Sequence, residues 1–524
     1  MPFLLIFFSN IRIYFYNCAN VGIVNHQYKE MLLLGIDVGT SSIKVSVVDP
    51  ATQKTISSVQ YPETETEINS PQPGWAEQSP EMWWDHVSQA ILKINALGSF
   101  DPKDIGAIGI AYQMHGLVVV DQHQQVLRDS IIWCDSRAVE IGNAAFEVIG
   151  EEKSLSHLLN SPGNFTASKL AWVKENQPEI YAKIDKVMLP GDFISMKLTG
   201  EITSSPSSLS EGIFWDFQNE QLSEDVLNYF GFDKKLFPPV RPVFSEHGYL
   251  KESIAELLSL RKGIPVSYKS GDQPNNALSL NVLQPGEVAA TAGTSGVIYG
   301  VSDQLAYDPQ SRVNTFAHVN HSSENKRLGV LLCINGTGIL NRWAKNTFGH
   351  GLSYSDINHK AGAIAIGSAG LRILPFGNGA ERMLNNKLIG AQFHHIDLNL
   401  HTADHIFRAV QEGIAFAFRY GLDIMRENGM FPTVIRAGKA NLFQSALFTE
   451  AFVNSTNVPV ELYDNDGSVG AALGAGIGVG VFSSEKEAFQ NNKAIQLIEP
   501  GKSDCYEPVY QDWKEILQEQ LIIK

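Results

Sequence analysis

Cysteine is scarce in this chain. Four residues in 524, Cys18, Cys134, Cys333 and Cys505, lie far apart with no ligand-like spacing. That excludes a disulfide framework and a cysteine-based zinc site, and it suits a reducing, cytoplasmic setting. Clustered Lys and Arg are missing as well. The chain carries 40 basic against 56 acidic residues, a formal net charge of −16, whereas a phosphate backbone demands local excesses of positive charge. No nucleic-acid partner is expected, and no membrane partner either. Low-complexity segments and solenoid repeats are absent. What is present is apolar material: hydrophobic residues make up 44% of the chain and charged ones 18%. At this length two or more domains are expected, because a single core stops growing well before such a size.

The first thirty residues differ from the rest. The apolar run 2–8 has no basic region before it, and Asn10, Arg12, Asn17 and Asn20 interrupt the residues after it. A secretory signal would need a cleaner small-residue cleavage site. Met31-Leu-Leu-Leu-Gly-Ile-Asp, by contrast, enters a strand at once. The favoured reading takes residues 1–30 as a non-native or disordered extension and Met31 as the start.

A short tract then occurs twice, about half the chain apart. Asp37-Val38-Gly39-Thr40-Ser41-Ser42 lies between β-formers 32–36 and 43–48, and Ala292-Gly293-Thr294-Ser295-Gly296 lies between 288–290 and 297–301. Strand, Gly-Thr-Ser turn, strand is a tight hairpin whose amide and hydroxyl donors can converge on phosphate oxygens. Two such hairpins from related halves could grip a nucleoside triphosphate from opposite sides of a cleft.

The intervening pattern alternates strand and helix, an α/β class. Ser79-Pro80-Glu81 predicts a helix to about Ala96 with Trp83, Val87, Ile91 and Ile94 on one face. Residues 105–110 read as a buried strand leading to Gln113-Met114-His115-Gly116, and 117–120 as another strand. Leu189-Pro190-Gly191-Asp192 opens a short helix closed by Gly200, and the serine-rich stretch 203–210 reads as a loop. Residues 264–268 form a strand that exits at Ser270-Gly271-Asp272, and 281–287 is the boundary between the halves. Beyond it, Thr402 caps a helix over 403–428 that Gly429 ends, followed by a strand over 433–436 and a helix over 440–454. The Gly- and Ala-rich stretch 467–481 suits a helix lying very close to a neighbour.

Four places in this pattern carry chemistry. Asp37, where a strand meets a phosphate turn, can hold Mg²⁺ through water, since Mg²⁺ keeps much of its hydration shell. An ordinary hairpin uses the same Asp-x-Gly-Thr, and the second tract at Gly293, Thr294 and Ser295 turns the reading toward phosphate. Asp272, at a strand's exit, can take the proton of an attacking sugar hydroxyl; a turn-forming Asp with Pro274 two residues later is the plain alternative. His115 is either a satisfied structural histidine or a donor to a sugar hydroxyl or carbonyl, with Met114 against the carbon skeleton. Gly438 could let backbone approach a nucleotide, or it is a strand-to-helix turn.

Together these tracts resemble the FGGY carbohydrate kinases, and within them the group acting on xylulose. The resemblance spans nearly everything from residue 31 to about 508. It is carried also by Gly74-Trp75-Ala76-Glu77-Gln78-Ser79-Pro80 and Trp133-Cys134-Asp135-Ser136-Arg137, by the Phe165-Thr166-Ala167-Ser168-Lys169 tract, and by Leu374-Pro375-Phe376 through Glu381-Arg382. It implies two ribonuclease-H-like domains of the actin/hexokinase type around a nucleotide and sugar cleft. Residues 31–281 would bear sugar and catalytic base, 287–482 the nucleotide, and 483–524 a tail. It implies Asp272 as proton acceptor, Met114, His115 and Gln273 as sugar contacts, and Asp37 for Mg²⁺. Thr40, Ser41, Gly293, Thr294 and Ser295 would meet the phosphates of ATP, with Gly438 and Asn441 by the nucleoside. The implied reaction is ATP plus D-xylulose giving ADP and D-xylulose 5-phosphate. Gluconate, ribulose or glycerol as acceptor, and a non-catalytic sensor on the same fold, are the alternatives; a homodimer is the candidate assembly. Three places depart from the family pattern: Gln273 in place of Asn, an added residue within Asn378-Gly379-Ala380, and Arg436-Ala437-Gly438 in place of three glycines.

Overall fold

Leu32–Val38 (β1) and Ile43–Asp49 (β2) form the first antiparallel hairpin, and Lys54–Tyr61 (β3) continues it. Ile105–Tyr112 (β4) and Val266–Gly271 (β5) add in parallel on the other side, giving a 5-stranded sheet in the order β5-β4-β1-β2-β3. β4 is buried along its whole length, as expected of a parallel strand covered on both faces. Pro80–Ala96 (α1) covers one face with Trp83, Val87, Ile91 and Ile94, the stripe its spacing predicts. The computed structural model describes residues 31–464 and 466–523; the reading of residues 1–30 lies outside them.

The stretch 203–210 is not a loop throughout. Pro206–Glu211 is a helix (α2), started by the Ser205 side chain accepting from the Ser208 amide at 3.1 Å, with Pro206 in its first turn. The Ser-Pro start signal that identified α1 is present here too, and the small residues obscured it. The strand β5 runs directly into Asp272–Ser279 (α3), so Asp272 is the first residue of a helix.

The second half repeats the first. Glu287–Ala292 (β6) and Gly296–Ser302 (β7) form the second hairpin, with Asn314–Ala317 (β8) and Leu328–Ile334 (β9) beyond β7. Val434–Gly438 (β10) and Val460–Tyr463 (β11) follow β6 in parallel, and Gln496–Ile498 (β12) closes the 7-stranded sheet β8-β9-β7-β6-β10-β11-β12. Stripped of β8 and β12, this is the strand order and direction of the first sheet, and each Gly-Thr-Ser turn joins the first two strands of its own sheet.

The expected helix over 440–454 is broken. A short turn at Asn441–Gln444 is followed by a helix at Ala446–Thr456, because Ser445 restarts it by accepting from the Phe448 amide at 3.3 Å. The break leaves Asn441 in the left-handed region, with φ of 51°. Farther on, Gly467–Gly478 (α4) crosses back and lies on the first sheet, while Ser503–Ile523 (α5) inserts Tyr506, Tyr510 and Trp513 into the core of the second. Among the described residues no helix is long and apolar enough to cross a membrane.

The seat of α4 is unusually close. A Cβ on Gly35 in β1 would lie 1.8 Å from the Ser468 carbonyl oxygen, and one on Gly109 in β4 would lie 1.9 Å from that of Ala471. Forcing atoms into such a contact costs on the order of 1–3 kcal/mol or more. Gly109→Val is therefore expected to lower the thermal midpoint clearly, whereas Gly362→Ala, with nothing within 4 Å of its added carbon, leaves it nearly unchanged; scanning calorimetry compares the two.

Candidate active site

Val38, Tyr112 and Gly271 are register partners across β1, β4 and β5. The three parallel strands therefore end level, and the residues at their carboxyl ends meet at one edge. Asp37 comes from β1, Gln113-Met114-His115 from β4, and Asp272 from β5. Three of the sites read from the sequence are thus neighbours in space, at the carboxyl edge where open α/β sheets bind ligands.

Asp37 and Asp272 form the acidic part. Burial first, and the Asp37 charge next, push the Asp272 carboxyl up to about 7, with the Gln273 backbone and side chain opposing. Asp37 is raised to about 6, by burial and then by Asp466, with Lys44 opposing. It also faces the start of α4: a Cβ on Gly467 would lie 2.3 Å from Asp37 Oδ2. Asn275, from α3, donates to the Gly467 carbonyl at 2.9 Å, so α3 and α4 are fastened beside both carboxylates. Carboxylate oxygens coupled in this way are the donor type that a hydrated divalent cation takes, although among the described residues no cluster of three or more such side chains forms. The amide oxygen of Gln273 is buried without a partner.

Met114 is buried against Gly271, where an added Cβ would lie 2.6 Å from Met114 Cγ and 2.7 Å from Glu211 Oε2. His115 has a positive φ of 61°. Its ring packs on Phe165 at 4.9 Å and on Phe316 at 5.4 Å, and its Nδ1 lies 2.9 Å from the Glu211 carbonyl oxygen. Burial, then Lys169, push the imidazole down to about 3. Phe316 belongs to β8 and Arg382 sits 5.8 Å over the Phe165 ring, so the second half closes over the residues of the first.

The two hairpin turns are held differently. In the first, Thr40 donates its hydroxyl to Gln113 Oε1 at 3.1 Å and accepts from the Trp133 indole at 3.0 Å, while Ser41 is exposed. In the second, the carbonyls of Gly293 and Thr294 accept from the Gly338 and Ile339 amides at 2.9 and 3.1 Å and from the Thr337 hydroxyl. Asn441 lies beside Gly293, whose added Cβ would be 3.6 Å from Asn441 Nδ2. Gly438 ends β10, next to β6, so Gly293, Thr294, Ser295, Gly438 and Asn441 share one edge of the second sheet.

The departures at the other two places are absorbed structurally. Asn378 Nδ2 donates to the Asn335 carbonyl and Asn335 Nδ2 to the Ala380 carbonyl, at 3.2 and 2.7 Å, while Glu381 accepts from the Asn335 and Gly336 amides. The longer loop is thereby tied to the segment that holds the second turn. Arg436 is taken up by Glu287 and Glu461, at 3.1 and 2.9 Å.

Sequence reasoning gave no role to Glu211, Lys169, Arg382 or Asp466. Glu211 is the clearest omission: it is buried, one carboxyl oxygen has no partner, and burial holds its carboxyl well above the usual range. The start signal of α2 would have placed it on a helix. Lys169 and Arg382 stood within the Phe165 and Leu374 tracts, but neither tract says which half faces which.

Residues 32–279 match the N-terminal domain of the FGGY family of carbohydrate kinases. A xylulose kinase of Lactococcus lactis is 29% identical over 502 residues, covering 92% of this chain and 96% of the relative. A solved "xyloylose kinase" from Brucella ovis is 25% identical with a TM-score of 0.84, covering 94% of this chain and 100% of the other. A gluconate kinase from Lactobacillus acidophilus superposes as well, with a TM-score of 0.85 at 21% identity, and shares the fold.

A carboxyl raised from 3.8 to about 7 by folding stabilises the fold only while protonated, and that contribution disappears as pH rises through about 7. Asp272→Asn is accordingly expected to unfold about 2 °C or more above the native chain at pH 8 and at the same temperature near pH 4. Thermal melts across that range check it.

Proposed function

Because the chain belongs to the FGGY family of carbohydrate kinases, we propose that it transfers the γ-phosphoryl group of ATP to the terminal hydroxyl of D-xylulose, releasing ADP and D-xylulose 5-phosphate. The observation that carries this reading is the common edge of β1, β4 and β5, where Asp37, Met114-His115 and Asp272 stand at the carboxyl ends of three strands ordered β5-β4-β1.

The attacking hydroxyl loses its proton to Asp272 as its oxygen bonds to the γ-phosphorus and the bond to the β-phosphate oxygen breaks. A carboxyl held near neutrality suits a base that must be free at working pH and still bind a proton. The amides of the second turn, whose carbonyls point back to the segment 337–339, are assigned to the phosphates together with the Thr40-Ser41 turn. Gly438 and Asn441 take the nucleoside. Asp37, with Asp272 beside it, would hold Mg²⁺, which offsets negative charge on the transferred group. Transfer of this sort is largely positioning and electrostatics, so the closure of Phe316 and Arg382 over His115 serves to order the acceptor and exclude water.

Xylulose as acceptor is supported by Gln113-Met114-His115 and by relatives named xylulose kinase. Gluconate is the second reading, favoured by Arg382: among the described residues its guanidinium makes no ion pair, and an acidic sugar would supply one. ADP release measured with xylulose, ribulose, gluconate and glycerol separates them. Xylulose is expected to exceed the others in kcat/KM by at least about tenfold, a difference of roughly 1.4 kcal/mol; gluconate leading the panel would overturn the assignment.

The same assay tests the base. Asp272→Asn should bind sugar and retain less than about 1% of native turnover, since general-base assistance contributes roughly 10²–10⁴ in rate. For the native chain, kcat/KM should fall as pH drops below about 7, where Asp272 becomes protonated. A flat profile down to pH 5 would remove Asp272 as the base.

A further inference from the structure

The proposed phosphoryl transfer gives the buried Lys169 no task. Lys169 is wholly buried, and its ammonium donates to the carbonyls of His115 and Ile132 at 2.8 and 3.0 Å. Thr166 donates its hydroxyl to the same His115 carbonyl at 3.2 Å. Two donors thus converge on the main chain of a residue whose φ of 61° is uncommon for anything but glycine. Such a conformation persists only where its surroundings over-determine it, and it favours functional sites.

The ring is fixed at its other end. The partner of Nδ1 is the carbonyl oxygen of Glu211, at 2.9 Å. A carbonyl can only accept, so Nδ1 carries the proton, and in a neutral imidazole Nε2 is then an acceptor. Nε2 has no protein partner among the described residues, and it is not among the buried unpartnered atoms. It therefore opens on solvent. The charged groups facing the ring keep it neutral: burial, Lys169 and Arg382 all push against protonation, and only the Glu211 carbonyl favours it. The Glu211 carboxyl is itself pushed well above the usual range, by burial first, with Lys169 opposing.

We propose that Lys169 is a positioning residue that holds the His115 turn so that the imidazole meets the sugar through Nε2 as a hydrogen-bond acceptor. The expectation that His115 donates to a sugar oxygen is thereby reversed. A site with this polarity selects a hydroxyl at that point of the acceptor and disfavours a carbonyl or an ether oxygen, each of which would face a lone pair. The inference rests on the sugar-kinase reading of the site, but not on which sugar is used.

Its test begins without substrate. In enzyme labelled with ¹⁵N-histidine, long-range proton–nitrogen correlation distinguishes the two neutral tautomers and the imidazolium, and the signal lost in His115→Gln identifies His115. The expected result is a proton on Nδ1 alone, unchanged from pH 5.5 to 8.5. A proton on Nε2, or an imidazolium at neutral pH, would overturn the proposal whatever the acceptor proves to be.

The second arm is kinetic and uses the best acceptor found in the sugar panel. Lys169→Met removes a charged hydrogen bond and is expected to raise the sugar KM about tenfold, with the KM for ATP unchanged and the His115 signal shifted. Thr166→Val, which removes the neutral donor to the same carbonyl, should raise the sugar KM about threefold and provides the readout where the Lys169 variant does not fold. An unaltered sugar KM in these variants, or equal effects on the KM for ATP, would also overturn it. A panel led by a sugar other than xylulose, with the tautomer as stated, would refute the acceptor assignment alone.

Discussion

Helix α4 can touch β1 and β4 only because Gly35 and Gly109 present no side chain, and that contact governs the chemistry at its first turn. The approach brings the Gly467 end of α4 against the Asp37 carboxylate, where unsatisfied amides and the helix dipole favour negative charge. Asp466 stands at the same end and pushes the other way. The outcome is a carboxyl that sits above its usual range but within reach of ionisation. The same helix bears on α3, where a Cβ on Gly470 would lie 1.7 Å from Ser279 Oγ. One segment from the second half of the chain therefore sets the positions of Asp37 and Asp272 together.

Acids and cations around the site are coupled to one another. Burial raises Asp37, Asp272 and Glu211. Lys169 and Arg382 face His115, and burial lowers both. Each group is thus shifted toward neutrality in the absence of a ligand, which limits the cost of bringing so many ionisable groups together. Ligands reverse the balance. A cation beside the acids, or an anion beside the guanidinium, returns the charge that desolvation disfavours, so binding and ionisation are linked.

Much of this arrangement was legible in the chain. The paired Gly-Thr-Ser turns gave the duplication, because the requirement for converging donors is local and leaves a local trace. Asp272 was found from a strand exit, and the Gly- and Ala-rich stretch 467–481 was read as a helix lying close to a neighbour, which is how α4 lies. What escaped depends on long-range contact. Nothing local marks α4 as belonging to the first sheet, since its partners Gly35 and Gly109 lie more than three hundred residues away. Glu211 was lost for a different reason: the serines of α2 are poor helix formers, and only the cap at Ser205 and Pro206 reveals the helix. The break at Ser445 was lost because apolar residues keep helical spacing on both sides of it.

The two hairpins, alike in sequence, are held by different partners. The second turn is braced from behind, by Thr337, the Gly338 and Ile339 amides, and through Asn335 and Gly336 by Glu381. Its carbonyls are thereby fixed to the segment 337–339. The first turn is braced from the side, through Thr40 to Gln113 and onward to Gln78 and Trp133. Gln113 adjoins Met114 and His115, so whatever displaces Thr40 pulls on the residues proposed to hold the sugar. Both turns are thus connected to the surroundings of His115, the first through Gln113 and the second through Glu381, which precedes the Arg382 that lies over the Phe165 ring. In the sugar-kinase reading proposed above, that double linkage lets the residues proposed to hold sugar and phosphate reach their working positions together, which favours a placed hydroxyl over water as the acceptor.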